Sequence, residues 1–317
     1  MIFNTRFMIA MLLILLVSAS CKKEKALSPS NLDENYLVVK DNPNDPVDHQ
    51  IYLFYKSTGI PCFYKDTIAK TQVGVNNKGV PQYSYQTLNL TYTPLGASTS
   101  GLIVTEKKQY IPAILDLLKT ELIPKLPAGF GLPSILFVDS IWLDNPVSFN
   151  DPSTGWDAYH GFNTVSIKCR DVAAMNADQK RMYVCSILAG IAAKRIVNDL
   201  NPRLQKDFYS ISRELAMPMF QMDVYNSYPL MLMFPDIPEP TQFGFTQFMI
   251  YTYKYPDFEF DLLVAPREAD DLRIFLTAAL YYTTDEFNSK YASLPVIKEK
   301  FRILKDIAAT EGLKFPG

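Results

Sequence analysis

Apolar residues recur at the three- and four-residue spacing of a helix face in several parts of this chain. In the stretch KKQYIPAILDLLKTELIPKL, the isoleucines and leucines form one stripe, which predicts an amphipathic helix that ends near Pro124. A shorter stripe lies between Asp48, a candidate cap, and Gly59, a candidate stop. Two further stripes predict helices over 269–282 and 295–310. Each of these helices is expected to bury one face.

A different kind of helix is predicted in the stretch RMYVCSILAGIAAKRIVNDL, which Asn176 is placed to cap. From Met182 to Ala193 it carries no charge, and its polar groups are those of Tyr183, Cys185 and Ser186. A helix that is apolar on nearly every face is expected to be surrounded by protein rather than to lie on a surface. We therefore predict a buried central helix.

Alternating and continuous apolar runs predict the strands. SILFVDSIWL and FNTVSIKC are typical of buried strands, and the long polar loop between them suggests a hairpin-like pair against which helices pack. QYSYQTLNLTY alternates and indicates another strand with a kink. In YPDFEFDLL, we expect Phe258 and Phe260 to point inward and Glu259 and Asp261 to point outward. This mixture of helices and strands predicts an α+β fold with a small mixed sheet.

The first residues form a secretory signal pattern. Arg6 precedes an apolar run over 7–17, shorter than a typical membrane span, and small residues then lead to Cys21. The junction resembles a bacterial lipobox, although Ser18 stands where leucine is usual. Cleavage would leave Cys21 to carry acyl chains that anchor the protein to a membrane. The alternatives are an uncleaved anchor helix, or an ordinary signal followed by a coincidental cysteine.

These features divide the chain into three parts. Residues 1–20 are interpreted as a lipoprotein signal peptide, 21–44 as a polar tether and 45–317 as a single α+β domain. The composition, 48% hydrophobic and 20% charged with a net charge of −2, is that of an ordinary globular protein. Because basic runs are missing from the sequence, nucleic acid is not expected as a partner.

The remaining cysteines, Cys62, Cys169 and Cys185, are too widely spaced for a disulfide framework. A Cys169–Cys185 bridge is one option in an oxidising compartment. The sequence contains no CxxC pair, which argues against a structural zinc site.

Two histidines, His49 and His160, leave few schemes for histidine-based catalysis or metal binding. In WDAYHGF, the aromatic rings of Trp156 and Tyr159 next to His160 could stack on a sugar or peptide, or the loop could be packed by its own aromatic residues. The acids Asp270 and Asp271 could form a carboxylate pair with Glu259, or could be solvated acids at the end of a helix.

The order of the elements resembles a family of Bacteroidetes lipoproteins described as zinc-binding metallopeptidases and often encoded beside SusC/SusD-type nutrient-uptake genes. The similar pieces cover most of residues 45–315. They are the lipoprotein signal, DHQIYLFYKSTGIPCFY, KKQYIPAILDLLKTELIPKL, the strands around SILFV and FNTVSIKC, the helix after NADQKRMYV, DDLRIFLTAALYY and IKEKFRILKDIAATEGLKF. The resemblance implies a zincin-like fold, in which the sheet packs against the buried central helix and the C-terminal helices.

In that family, the central helix carries His-Glu-x-x-His, which binds zinc and activates a water molecule. Here the matching positions are Ile187, Leu188 and Ile191, and aliphatic side chains offer a metal no lone pair. The acid-rich segment that can supply a further ligand in the family resembles Asp270-Asp271-Leu272. The resemblance therefore implies a degenerate member, without metal, cofactor or catalytic residues.

Our interpretation is a non-catalytic lipoprotein that serves an envelope nutrient-uptake system as an accessory binding protein. Its partners would be the membrane, through Cys21, and a peptide, a glycan or another lipoprotein. Trp142, Trp156, Tyr159, His160 and the acids at 270–271 are candidate ligand contacts. KKEK after Cys21 differs from the acidic cluster of surface-exported lipoproteins, which favours the periplasmic side of the outer membrane. The alternative function is a hydrolase, glycosidase or peptidase, that uses a carboxylate pair.

Overall fold

A computed structural model describes residues 35–90, 101–142, 156–220, 222–226, 229–254 and 258–317. The signal segment, Cys21 and most of the predicted tether lie outside the described residues. Helices and strands are mixed along the chain, as expected for an α+β protein. Residues 72–83 belong to a separate compact unit from residues 36–71 and 84–317.

The described helices and strands have the following bounds. The helices are α1 (Pro46–Thr58), α2 (Ile111–Leu117), α3 (Ala177–Arg203), α4 (Ser210–Ala216), α5 (Leu230–Met233), α6 (Glu268–Tyr281), α7 (Thr284–Lys290) and α8 (Pro295–Ala309). The strands are β1 (Cys62–Phe63), β2 (Thr67–Val75), β3 (Pro81–Thr87), β4 (Gly101–Val104), β5 (Ile135–Trp142), β6 (Ala158–His160), β7 (Val165–Lys168), β8 (Met249–Lys254) and β9 (Glu259–Val264). Among these helices, none combines the length and the apolarity needed to cross a bilayer.

The main sheet is built around β5. Its order is β1-β5-β7-β6, and β4 pairs with the second half of β5. β1 and β7 run parallel to β5, whereas β6 runs antiparallel to β7 and forms an edge of the sheet. The predicted hairpin-like pairing of β5 with β7 is therefore wrong, because parallel neighbours require a crossover connection. The segment WDAYHGF, predicted as a loop, contains β6.

Strand β5 is buried on both faces, which explains its continuous apolar sequence. Ile135 and Phe137 point into the main core, together with the helices. Leu136 and Val138 point to the opposite face, where they pack in a smaller cluster with residues such as Trp156. The sheet thus separates two hydrophobic clusters of different size.

The central helix α3 begins as predicted. The Asn176 side chain accepts a hydrogen bond from the Gln179 backbone N–H, and the Gln179 side chain accepts one from the Asn176 backbone N–H, which completes a capping box. Residues 183–193 are all buried, so the prediction of an enclosed helix is confirmed. Beyond Arg203 the helical path continues as a π-helix over Leu204–Tyr209.

The remaining helix predictions are largely confirmed. α6 and α8 lie within one residue of their predicted bounds. The stripe that ends near Pro124 starts as a 3-10 turn, becomes α2 and continues as a π-helix over Leu118–Leu122. α1 is capped by Asp45 rather than Asp48, and ends at Gly59, whose φ of 74° suits glycine. Helix α7 was not predicted, although Thr283 caps it through a capping box.

The predicted inward orientation of Phe258, just before β9, and of Phe260, within it, is wrong. Phe258 and Phe260 are 55% and 40% exposed, and their rings stack on each other with centroids 5.9 Å apart. Asp261 is exposed, as expected. β8 and β9 form a separate two-stranded sheet, so each face of β9 has less to pack against than a strand inside the main sheet.

Gly190 allows α3 to approach the sheet edge closely. A Cβ atom at this position would lie 2.0 Å from the carbonyl oxygen of Ala158 in β6, far inside the contact distance of two such atoms. The neighbour is backbone, which cannot move aside as a flexible side chain can. Any residue larger than glycine at 190 would therefore push α3 away from β6.

We predict that Gly190→Ala destabilises the protein, although alanine has the higher helix propensity by about 1 kcal/mol. Overpacking against the β6 backbone should outweigh that gain and lower the free energy of unfolding by about 2 kcal/mol or more. The measurement is chemical denaturation of both proteins. Gly131→Ala is the control, because a Cβ atom there has nothing within 4 Å. A Gly190→Ala protein as stable as the parent would contradict the close contact.

Candidate functional site

The three positions at which the resemblance would place a metal-binding motif lie inside the protein. Ile187, Leu188 and Ile191 are 0%, 3% and 1% exposed, on a helix that packs against β6 and α6. Their side chains are aliphatic and form part of the main hydrophobic core. Within the described part of the chain, no group of three or more histidine, cysteine or acidic side chains is placed to hold a metal ion.

The aromatic residues predicted to contact a ligand lie on or beside β6. Trp156 is buried at 2% exposure, and its ring meets that of Tyr159 edge to face with centroids 5.8 Å apart. Tyr159 and His160 are half-buried. The ring nitrogens of His160 lie 3.2 and 3.4 Å from the backbone oxygens of Gly161 and Gly131. In this arrangement, the Trp156 ring serves packing rather than contact with an external ligand.

Asp270 joins the start of α6 to the Trp156 side chain. Trp156 Nε1 donates to one carboxylate oxygen of Asp270 at 2.8 Å, and Arg267 Nε donates to the other at 2.9 Å. The Arg273 guanidinium lies 5.1 Å from the centre of the Trp156 ring. The structure thus brings together two of the predicted site residues, Trp156 and Asp270, through a buried hydrogen bond.

Asp271 faces a different set of partners. Its Oδ2 atom accepts hydrogen bonds from Lys300 Nζ at 2.7 Å and from the Tyr225 hydroxyl at 2.8 Å. Lys300 Nζ also donates to Ser212 Oγ at 2.8 Å. Both charged side chains are buried, and the Lys300 ammonium lies within about 5 Å of three aromatic ring centres. These rings belong to Phe208, Phe245 and Phe275.

Burial opposes the charged forms of this pair. Burial raises the pKa of Asp271, although the Lys300 ammonium acts to lower it. Burial also lowers the pKa of Lys300, although the Asp271 carboxylate acts to raise it. A buried ion pair is stable only when its hydrogen-bonding capacity is largely satisfied, as Tyr225 and Ser212 achieve here. The pair therefore ties α6 to α8 and α4 within the core.

Asp270 and Asp271 do not face each other, because consecutive residues of a helix point in different directions. Each carboxylate is held by its own partners and closed off from solvent. The side chain of Glu259 lies outside the described residues, as does that of Trp142. In this geometry, the two aspartates act as structural groups.

A polar cleft lies beside the first turns of α3. Its volume is about 450 Å³, and charges of both signs line it. Asp157 and Arg170 form an ion pair at 2.6 Å. The Tyr281 hydroxyl donates a hydrogen bond to the Asp178 carboxylate, and this bond raises the pKa of Tyr281 to about 12. The lining includes Asp157, Arg170, Asp178, Gln179, Ser186 and Arg273.

The three described cysteines are free and buried. The Cys169–Cys185 bridge left open by the sequence is therefore not formed in this structure. Burial raises the pKa of both Cys169 and Cys185 to about 11, so both thiols are protonated near neutral pH.

Sequence reasoning missed the residues that complete these clusters. Lys300 carried a signal, because it falls on the apolar stripe of α8 between Ile297 and Leu304, where a lysine must find a buried partner. The sequence contains no such signal for Tyr225 and Ser212, because the residues next to them in the chain do not indicate a contact with Asp271. Arg170 and Asp157 come together only through the pairing of β6 with β7.

Comparison of the chain with protein-family models, curated proteins and solved structures found no match in any of the three.

We predict strong coupling between Asp271 and Lys300. Replacing either residue alone, as Asp271→Asn or Lys300→Met, should lower the free energy of unfolding by about 3–5 kcal/mol, because the other group loses its charged partner inside the core. The free energy of unfolding should fall clearly less in the double variant than the sum of the decreases in the two single variants. Denaturation of the four proteins gives the coupling energy.

The control for this cycle is the exposed pair of Lys125 with Glu121, which are 3.0 Å apart. Lys125→Met should change stability by only about 0–1 kcal/mol. Additive effects of Asp271→Asn and Lys300→Met would show that the two groups do not interact as the structure indicates.

Proposed function

We propose that this protein is a non-catalytic lipoprotein of the cell envelope with a degenerate, zincin-like metallopeptidase scaffold. In this proposal it is an accessory binding protein of a nutrient-uptake system, which holds a peptide, a glycan or a partner lipoprotein. The observation that carries the proposal is the burial of Ile187, Leu188 and Ile191 within the core. Aliphatic atoms occupy the space that the ligands of a catalytic metal would need.

Energetics support the replacement of a metal site by a core. A buried histidine or glutamate without a metal or hydrogen-bond partner costs stability, whereas a fully buried leucine or isoleucine contributes about 1.5–3 kcal/mol. A scaffold that has lost its metal would therefore gain stability from aliphatic side chains at these positions. The contact of Gly190 with Ala158 is consistent with a helix that keeps its close approach to an antiparallel edge strand.

The polar cleft is the proposed place for the ligand. It lies between the start of α3, α6 and the ends of β6 and β7, and its lining includes hydrogen-bond donors and acceptors of several kinds. Asp178 and Gln179 are exposed polar residues of this lining, and their side chains would hydrogen-bond with a ligand hydroxyl or amide in the cleft.

The alternative hydrolase has less support from the geometry. A carboxylate pair for glycoside hydrolysis must reach both sides of one substrate bond. Asp270 and Asp271 are instead enclosed and bound to Trp156, Arg267, Tyr225 and Lys300.

The test of the proposed function is metal analysis of the full-length protein purified in detergent, together with peptidase and glycosidase panels. We expect less than stoichiometric zinc and no turnover. Ile191→His should still bind no zinc, and should lower the free energy of unfolding by about 1–3 kcal/mol through an unpaired buried imidazole. Leu53→His is the control, because Leu53 is 43% exposed and should tolerate the change. Stoichiometric zinc, or peptide hydrolysis stopped by a chelator, would refute the proposal.

Membrane attachment is tested separately. The proposal predicts that the full-length protein, expressed in a bacterium that processes lipoproteins, fractionates with membranes and incorporates labelled palmitate. Cys21→Ser should abolish the label, because the acceptor thiol is lost. Cys62→Ser is the matched control, and should keep it. Palmitate incorporation that survives Cys21→Ser would show that Cys21 is not the attachment site.

A further inference from the structure

A second concave site lies beside the central helix, on a different face from the polar cleft. We call it the basic groove. Its volume is about 610 Å³, which falls within the range of about 300–1,000 Å³ that is typical of sites for small molecules. Its apolar lining consists of half-buried residues, Leu117, Phe315 and Pro316 among them, and of buried ones such as Val184, Leu188 and Leu280. Its basic lining residues are Lys125, Lys180, Arg181 and Lys314.

Helix geometry separates the two sites. The groove uses Arg181, Val184 and Leu188 of α3, which follow each other at spacings of three and four residues and so share one face. The cleft uses Gln179, Met182 and Ser186, which share another. An occupant of the groove therefore need not disturb the cleft, and the groove does not depend on the proposed function.

The groove has an excess of positive charge. Lys125 is paired with Glu121, the acidic residue of the lining. Arg181 is held in place, since it donates to the backbone oxygen of Tyr281 and lies over the Tyr281 ring. Lys180 and Lys314 form no ion pair within the described part of the chain. The ammonium groups of Lys180 and Lys314 are thus available to bind an external anion, and they lie next to an apolar surface.

The segment that carries Lys314 is fixed to the core. Leu313 is buried, and Phe315 packs against the main hydrophobic cluster and lines the groove. The Lys314 side chain therefore projects from an anchored backbone. A cation on an anchored segment loses less conformational freedom on binding an anion than one on a loose segment does.

We propose that the basic groove binds a small amphiphilic anion, with a carboxylate near Lys180 and Lys314 and an apolar body over Leu117, Phe315 and Pro316. Both halves of such a ligand find a matching surface. A purely apolar ligand would leave the lysines without a partner. An extended peptide is less suited, because the described lining residues belong to helices, turns and coil, and none offers a strand edge for pairing.

The experiment uses a matched series of water-soluble probes: 4-phenylbutyrate, the neutral 4-phenylbutyramide and the cationic 4-phenylbutylamine. Each is titrated calorimetrically into the full-length protein in a non-ionic detergent, with detergent alone as the blank. We expect the acid to bind about tenfold more tightly than the amide, since two exposed charge contacts together supply roughly that factor. The amine should bind more weakly than the amide.

Variants locate the site. Lys180→Glu combined with Lys314→Glu should weaken binding of the acid at least about tenfold and reverse the preference towards the amine. Lys119→Glu combined with Lys206→Glu changes the net charge equally at exposed positions outside the groove, and should leave the affinity for the acid unchanged. Unchanged melting temperatures of both double variants ensure that binding, not folding, is compared.

Several results would overturn the proposal. They are the absence of saturable binding of the acid up to about 10 mM, equal affinities for the three probes, and equal effects of the two double variants on binding of the acid. An acidic peptide that binds the parent tightly while 4-phenylbutyrate does not would assign the groove to a protein partner instead. None of these results bears on zinc content or hydrolytic activity, so a failure here is distinct from a failure of the proposed function.

Discussion

The enclosure of α3 is the constraint on which the other elements depend. Residues 183–193 are all buried, so the helix needs protein around most of its circumference. Strand β6 closes one side, where the Ala158 carbonyl approaches Gly190, and α6 closes another. Because the backbone contact at Gly190 leaves no room for a Cβ atom, the distance between helix and sheet is set by the absence of a side chain. The sheet edge and the C-terminal helices must then meet around this helix.

Polar groups inside this apolar core act mainly as connections between elements. The Lys300–Asp271 pair joins α8 to α6, with Ser212 adding α4, and the Trp156–Asp270 hydrogen bond joins α6 to the start of β6. A buried ion pair is a poor source of stability in itself, since desolvation offsets most of the attraction. Its partners must nevertheless be in place, and any packing of α8 that separated Lys300 from Asp271 would leave a charge unpaired in the core. We infer that these contacts select the arrangement of the helices.

The central helix also places the two concave surfaces. Its spacing of 3.6 residues per turn puts the polar cleft and the basic groove on different faces, while Ile187 and Ile191 belong to the core. The acids near the start of α6, which look like catalytic candidates in the sequence, are committed to structure. The polar cleft and the basic groove are lined instead by residues such as Arg170, Lys180 and Lys314, which belong to no sequence motif.

The sequence by itself determined helices α1, α2, α3, α6 and α8, the enclosure of the segment 183–193 and the aliphatic character of positions 187, 188 and 191. Helix periodicity and side-chain chemistry are local properties, which is why the sequence carries them. Only the tertiary structure decided that β5 and β7 are parallel, that WDAYHGF supplies an edge strand and that Phe258 and Phe260 face solvent. It also decided that Lys300 meets Asp271, and that Lys180 and Lys314 line the same groove. Strand pairing and side-chain contacts join residues that are far apart in the chain. An apolar segment has the same sequence pattern whichever strand or helix it will pack against.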